Sequence, residues 1–378
     1  MKTSSIFLKF KILKGARLLM SSLASVFNKN ILMNEQTTDN TSVSSEFNSI
    51  NNNTDGKSFF SESLDFAREM NTEYINNTCS LYKSILESGD NPYVIHESFS
   101  EFFEFIKKII KKAIDFIKKL CDKFIVLLMR LISSDKYLKK NKDEFSKFTS
   151  ENEFEHKGYN FTIKEGVPKN TVLSDFAKSI GQIENLGSAT VTTDVVKNAY
   201  NNLTNELDND YYDRVRAEVL GRSGESISDS DYADELFEEF RDGDDTKEDF
   251  TVTSTVVLDA YHRFDNYEKL KKNIKKQSKD IESKYQEISK SFDKVTGDFD
   301  KVAGTYKVNI DGVDGTVSKD AITELDLWCK AKASQIQKIS TIHHMAFSAK
   351  LDALKDCFKQ DKTILYKALY RIKGNSKD

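Results

Sequence analysis

Proline is nearly absent: the 378 residues hold two, Pro92 and Pro168. A proline inside a helix removes a backbone donor and clashes with the preceding turn, so its scarcity permits long unbroken helices. Long apolar runs are missing too. The longest, Phe124–Met129, has six residues and ends at Arg130, whereas a helix crossing a bilayer needs roughly 20. The four cysteines, Cys79, Cys121, Cys329 and Cys357, are far apart and form no Cys-x-x-Cys pair. That spacing argues against disulfides and metal ligation, and for buried thiols in a reducing compartment.

Catalytic signatures are equally scarce. His96–Glu97 lacks the second histidine of a His-Glu-x-x-His zinc motif. Gly221-Arg-Ser-Gly224 has neither the lysine nor the strand–helix context of a phosphate loop. Asp311–Gly315 misses the ligand spacing of a calcium loop and reads as a turn. His343–His344 is the sole histidine pair, and neighbours on a helix point about 100° apart, so both do not easily ligate one metal. His343 falls on an apolar stripe between Ile339 and Ala346, as a satisfied core or interface histidine would. The expectation is a non-enzymatic protein with no catalytic residue, no cofactor and no metal site.

The clearest pattern lies in residues 99–132. Phe99, Phe102, Phe103, Ile106, Ile109, Ile110, Ala113, Ile114, Ile117, Leu120, Cys121, Phe124, Ile125, Leu128 and Ile132 follow a spacing of threes and fours, which draws one wide apolar stripe along a helix. Lysines flank it: Lys107, Lys108, Lys111, Lys112, Lys118 and Lys119. Burial against a core or partner helix is the first reading. A membrane-surface helix, with those lysines on an anionic membrane surface, is the second. A nucleic-acid element comes last and is not expected, because acids share the face and arginine is almost absent.

Net charge is −4, unevenly spread. From Glu101 to Lys142 there are 12 basic and 5 acidic residues, net +7; from Glu206 to Asp249 there are 5 basic and 17 acidic, net −12. The two regions are two solvated faces, or attract each other within the chain or between copies.

Four regions follow. Residues 1–57 combine a basic amphipathic arm with a disordered Asn/Ser/Thr linker. The arm stays open to three readings: a surface-binding helix, a cleaved extension, or a start placed too early, with translation from Met20 or Met33. Residues 58–150 form a helical domain in which 58–87 packs antiparallel on the lysine-flanked helix, and a short helix covers 136–148. Residues 151–260 are an acidic α+β region: a hairpin about Lys157–Gly158, and short helices at 171–180, 194–207 and 230–241, the last capped by Ser228 or Ser230. Residues 261–378 read as a coiled-coil-like hairpin of helices. There Ile274, Ile281, Ile288, Val295 and Val302 alternate with Ser278, Tyr285, Phe292, Phe299 and Tyr306 in heptads that begin at Ala260. A small strand pair near Tyr306–Ile310 turns the chain into a last helix, 318–372. The fold class is mainly α: an N-terminal helical unit, a small α+β middle region with a β-hairpin, and a long C-terminal antiparallel helical hairpin, about 60–70 Å long.

Four stretches together resemble virion structural proteins of large tailed bacteriophages that infect Gram-positive bacteria. They are LISSDKYLKKNKDEF, FEHKGYNFTI, DRVRAEVLGRSGESISDSDYADELFEEFRDG and FKQDKTILYKALYRIKG. The similarity spans about Phe59 to Lys373 and is one of texture, without a sharp motif. It implies a multi-copy structural or internal virion component, made in the host bacterial cytoplasm, with other virion proteins and itself as partners. It brings no catalytic residues. Alternatives are a membrane-active protein used in genome entry or lysis, and a host-directed effector.

Overall fold

The computed structural model describes residues 58–87, 92–133, 136–161, 171–181, 209–222, 224–240, 247–308 and 319–375. Lys57–Ile227 and Ala233–Asp378 make one compact unit; Ser228–Tyr232 belong to a second. The arm at 1–57, the 194–207 helix and the turn at 309–315 lie outside the described residues.

The protein is mainly helical, as its apolar periodicity predicts. The helices are α1 (Phe59–Glu87), α2 (Pro92–Ser133), α3 (Lys136–Lys140), α4 (Thr171–Gly181), α5 (Asn209–Val219), α6 (Asp229–Glu238), α7 (Ser254–Asp265), α8 (Tyr267–Val308) and α9 (Lys319–Asn375). The expected 136–148 helix stops at Lys140 and continues as a 3₁₀ turn, Lys142–Lys147. Within the second unit the Asp231 amide donates to Ser228 Oγ at 3.3 Å, so Ser228 is the cap of α6. Gly221 (φ 83°) ends α5: the Arg222 and Gly221 amides donate back to the carbonyls of Ala217 and Glu218 at 2.8 and 2.9 Å. That is a Schellman ending, which needs the left-handed conformation glycine adopts freely. The supposed phosphate loop is thus a helix terminus.

Alpha2 packs antiparallel on α1, pairing Phe124 with Phe59 and Phe116 with Phe66. Its stripe from Phe103 to Ile132 is buried, and each fully buried Phe, Leu or Ile contributes roughly 1.5–3 kcal/mol. The heptad helix breaks at Asn266, whose side-chain amide donates to the His262 carbonyl at 2.9 Å, so α7 and α8 are separate. The α8 seam is buried at Ile274, Ser278, Ile281, Tyr285, Ile288 and Phe292. Its chief partners are α2 and α4, whereas α9 packs mainly on α1, α7 and α2. The two long C-terminal helices share α2 as a neighbour, and the α8 seam meets α9 directly where Tyr285 faces His344, 6.1 Å between ring centroids. Residues 306–308, expected to be extended, continue α8.

The middle region has an antiparallel strand pair, but it is not the local hairpin expected at 153–163. Beta1 (Phe154–Gly158) pairs with β2 (Glu248–Val252), in a register that sets Phe154 opposite Val252 and Gly158 opposite Glu248. The reason lies in Gln360 of α9. Its Nε2 donates to the Tyr159 carbonyl at 2.8 Å and its Oε1 accepts the Tyr159 amide at 2.9 Å. One side-chain amide thus satisfies the backbone groups that a returning strand would have paired. A Cβ at Gly158 would collide with the same amide. Gly158→Ala is expected to displace Gln360 and cost about 1–3 kcal/mol. Gln360→Ala should cost a similar amount, and the double variant little more than either, because both break one contact. Urea denaturation measures this; a Gly158→Ala protein as stable as the parent removes the Gln360 explanation.

Candidate functional site

The flanking lysines of α2 divide into two sets. Lys107, Lys112 and Lys118 turn toward neighbouring helices. Lys107 reaches Asp293 of α8 at 3.0 Å, Lys112 reaches Glu69 and Glu73 of α1 at 3.0 and 2.5 Å, and Lys118 reaches Glu282 of α8 at 2.8 Å. Hydrogen bonds to carboxylates raise all three lysines above their ordinary range: Glu104 and then Asp293 act on Lys107, Glu73 on Lys112 and Glu282 on Lys118. Lys108, Lys111 and Lys119 remain exposed, interleaved with exposed Asp115 and Asp122. The outward face is mixed in charge and the apolar stripe is covered. Among the described residues no helix is long and apolar enough to cross a membrane.

The densest chemistry is internal. Between Ala333 and Leu354 almost every residue of α9 is buried, including Ser340, His343 and His344. The His344 ring sits 5.2 Å from Phe66 of α1, 5.2 Å from Phe116 of α2 and 6.1 Å from Tyr285 of α8, measured between centroids. Four helices meet on this imidazole. The site is buried as the stripe predicts, yet it is not satisfied. Among the described residues, all four ring nitrogens of His343 and His344, the Tyr285 hydroxyl and the Ser340 hydroxyl have no hydrogen-bond partner from the protein. The Ala113 carbonyl lies near His344, and Ser340 near the Tyr285 hydroxyl, in approaches too poor in geometry to be hydrogen bonds. Burial pushes His343 down to about 4 and His344 to about 3, the His343 ring adding to the second. Burial also raises the Tyr285 phenol.

A second internal cluster ties α7 to α9. Arg263 Nε and Nη2 donate to Asp361 Oδ2 and Oδ1 at 2.9 and 2.7 Å, and the Cys357 thiol lies 3.8 Å from Oδ2. Burial pushes the Asp361 carboxyl up, and the Arg263 guanidinium pulls against it. Burial drives the Cys357 thiol well above its ordinary value, with Asp361 adding to the shift. A protonated, enclosed thiol is a poor nucleophile, so the trio acts as a clasp between helices. Cys121, likewise buried and raised by burial, fits the same structural role. Among the described residues no three His, Cys, Asp or Glu side chains gather as a metal would require.

Sequence reasoning passed over one surface. Tyr137 of α3 stacks on Tyr366 of α9, 5.9 Å between centroids and 7° between planes. Lys373 donates to the Tyr137 hydroxyl at 3.1 Å and to Asn141 Oδ1 at 2.8 Å. Tyr370, one turn beyond Tyr366, is 81% exposed. The i, i+4 tyrosines within a helix end whose last acid is Asp361 were the available signal. No protein-family model, curated protein or solved structure matches the chain.

The two histidines make stability depend on acid. Their neutral form is favoured in the fold, while in the unfolded chain they titrate near 6.5. Their stabilising effect is complete above that value and is lost as pH falls toward about 4 and about 3. By pH 4.5 each is expected to cost about 3 kcal/mol. Thermal melts from pH 7.5 to 4.5 should show this loss, and His343→Leu with His344→Phe should remove most of it. An equally acid-sensitive double variant places the cause elsewhere.

Proposed function

We propose that the chain is a non-enzymatic structural or internal component of a tailed-phage virion, acting through self-association and contacts with other virion proteins. The observation that carries this reading is a convergence. Three of the four stretches that carry the resemblance come together at the end of α9. LISSDKYLKKNKDEF contributes Tyr137 against Tyr366. FEHKGYNFTI contributes Tyr159 against Gln360 and Phe154 beneath Lys367 and Arg371. FKQDKTILYKALYRIKG supplies the helix they dock on. Segments 137, 159 and 366 thus form one packed assembly. The buried clasp and seam are consistent with side chains spent on architecture.

Mass spectrometry of purified particles tests the proposal. The chain is expected among the virion proteins, with the N-terminus of the mature form showing whether residues 1–57 are retained. Its absence from intact particles ends the reading. The membrane-active alternative requires α2 to uncover a stripe that is buried from Phe103 to Ile132. Flotation with anionic liposomes at neutral pH is therefore expected to leave the protein unbound, and strong flotation at physiological salt would favour that alternative instead.

A further inference from the structure

Alpha3 carries three lysines, Lys136, Lys139 and Lys140, and no acid. From Lys359 to Gly374, α9 carries five basic residues, and its single acid, Asp361, is buried in the clasp with Arg263. Because Tyr137 stacks on Tyr366 and Lys373 bridges to Tyr137 and Asn141, the two helices present these charges side by side. In sequence the flanking acids are Asp135, directly before α3, and Asp143 and Glu144 on the 3₁₀ turn, where Glu144 is held by Lys147 at 2.9 Å. Lysines near a helix C-terminus also complement its dipole, but that effect does not account for α3 or for a tyrosine left 81% exposed.

We propose that this lysine–tyrosine surface, formed by α3 and the end of α9, docks the acidic Glu206–Asp249 block of a second copy of the chain. The proposal rests on the self-association put forward above and names the faces that carry it. Charge complementarity selects the occupant: the block has a net charge of −12, and Asp234 and Glu238, one turn apart on α6, are both exposed. Within one molecule the β2 end of the block, Glu248 and Asp249, lies on the strand pair whose Phe154 sits beneath Lys367 and Arg371, whereas Asp234 and Glu238 of α6 lie elsewhere along α9. Phe237 of α6 packs on Phe60, whose amide is bound to Asp352 of α9. From Asp352 to Tyr366 is about 21 Å along the helix. A contact between two different patches is heterologous, so it propagates from copy to copy until it closes a ring or extends an array. Nucleic acid fits less well. The Tyr137 and Tyr366 rings already stack on each other, and the ammonium groups of Lys373 and Lys362 lie 4.8 and 6.0 Å from their centroids. A membrane fits less well too, since this surface offers tyrosines and lysines rather than aliphatic side chains to insert.

Sedimentation velocity on the full chain at ~0.05 and ~0.5 M salt tests the docking, because exposed charge pairs are screened at the higher value. The parent is expected to associate at low salt and disperse at high salt. Lys136→Glu with Lys140→Glu, and separately Asp234→Lys with Glu238→Lys, should each weaken association at least ~10-fold with unchanged circular dichroism. The fourfold variant, in which both faces are reversed, should regain it. A parent that stays monomeric at low salt overturns the docking; whether the chain is found in virions is a separate measurement. Association that persists through both reversals also overturns it, while leaving self-association intact through another face. So does a fourfold variant that stays dispersed. If Lys136→Glu with Lys140→Glu abolishes the shift of a DNA oligonucleotide and leaves association unchanged, the surface belongs to nucleic acid and the proposal falls.

Discussion

Enclosure of α9 on several sides at once is the constraint from which the rest of the unit follows. A helix against one neighbour can keep a polar face in water. Alpha9 packs on α1, α2, α5 and α7, so polar side chains spaced around its circumference are enclosed along with the apolar ones. Some find partners: the Asp352 carboxylate accepts from the Phe60 amide, and Asp361 accepts from Arg263. Others do not: among the described residues none hydrogen-bonds to the His343 or His344 rings or to the Ser340 hydroxyl. An unmade hydrogen bond of this kind costs about 1–3 kcal/mol. The stack of Phe66, Phe116 and Tyr285 around His344 offsets part of that cost by packing.

The surrounding helices are arranged by the same constraint. Alpha1 is antiparallel to α9, with Asn71 bonded to Gln337 near one end and Phe60 to Asp352 near the other. Alpha2 runs parallel to α9, with Phe116 on His344 and the Leu131 carbonyl accepting from Lys362. Alpha2 then offers its remaining stripe to α8. Its lysines complete the arrangement by reaching sideways to acids of α1 and α8. These exposed pairs contribute little individually; they set which neighbour lies on which side.

Amphipathic elements were legible in the sequence because their pattern is local. The stripe on α2, the limits of α1 and the Ser228 cap of α6 could all be read from spacing of three and four or from a single hydroxyl. What was not legible depended on distant partners. Nothing near Gly158 announces that a glutamine 202 positions later takes the place of a returning strand. The α8 heptads specify a seam but not every surface that fills it: α2 and α4 take most of it, and His344 of α9 meets Tyr285. On α9 the stripe at Ile339, His343 and Ala346 is buried, but so are residues on its other faces, since a helix enclosed on several sides has no single stripe. The Tyr137–Tyr366 surface escaped notice because its halves are over 200 residues apart.

The reach of these contacts bears on how the chain acquires its structure during synthesis. Ser63 bonds to the backbone of His344 across 281 positions, and Phe60 to Asp352 across 292. Alpha1 and α2 therefore leave the ribosome long before the helix that covers them. At about 5–20 residues per second, the roughly 220 residues between the end of α2 and the middle of α9 take about 10–45 s to make. Until α8 emerges the Phe103–Ile132 stripe has only α1 for shelter, and until α9 follows it still lacks its last cover. The nascent chain is most adhesive just where the finished protein is most deeply buried, so a chaperone or a neighbouring nascent copy has its opportunity to engage that stripe before α8 and α9 arrive.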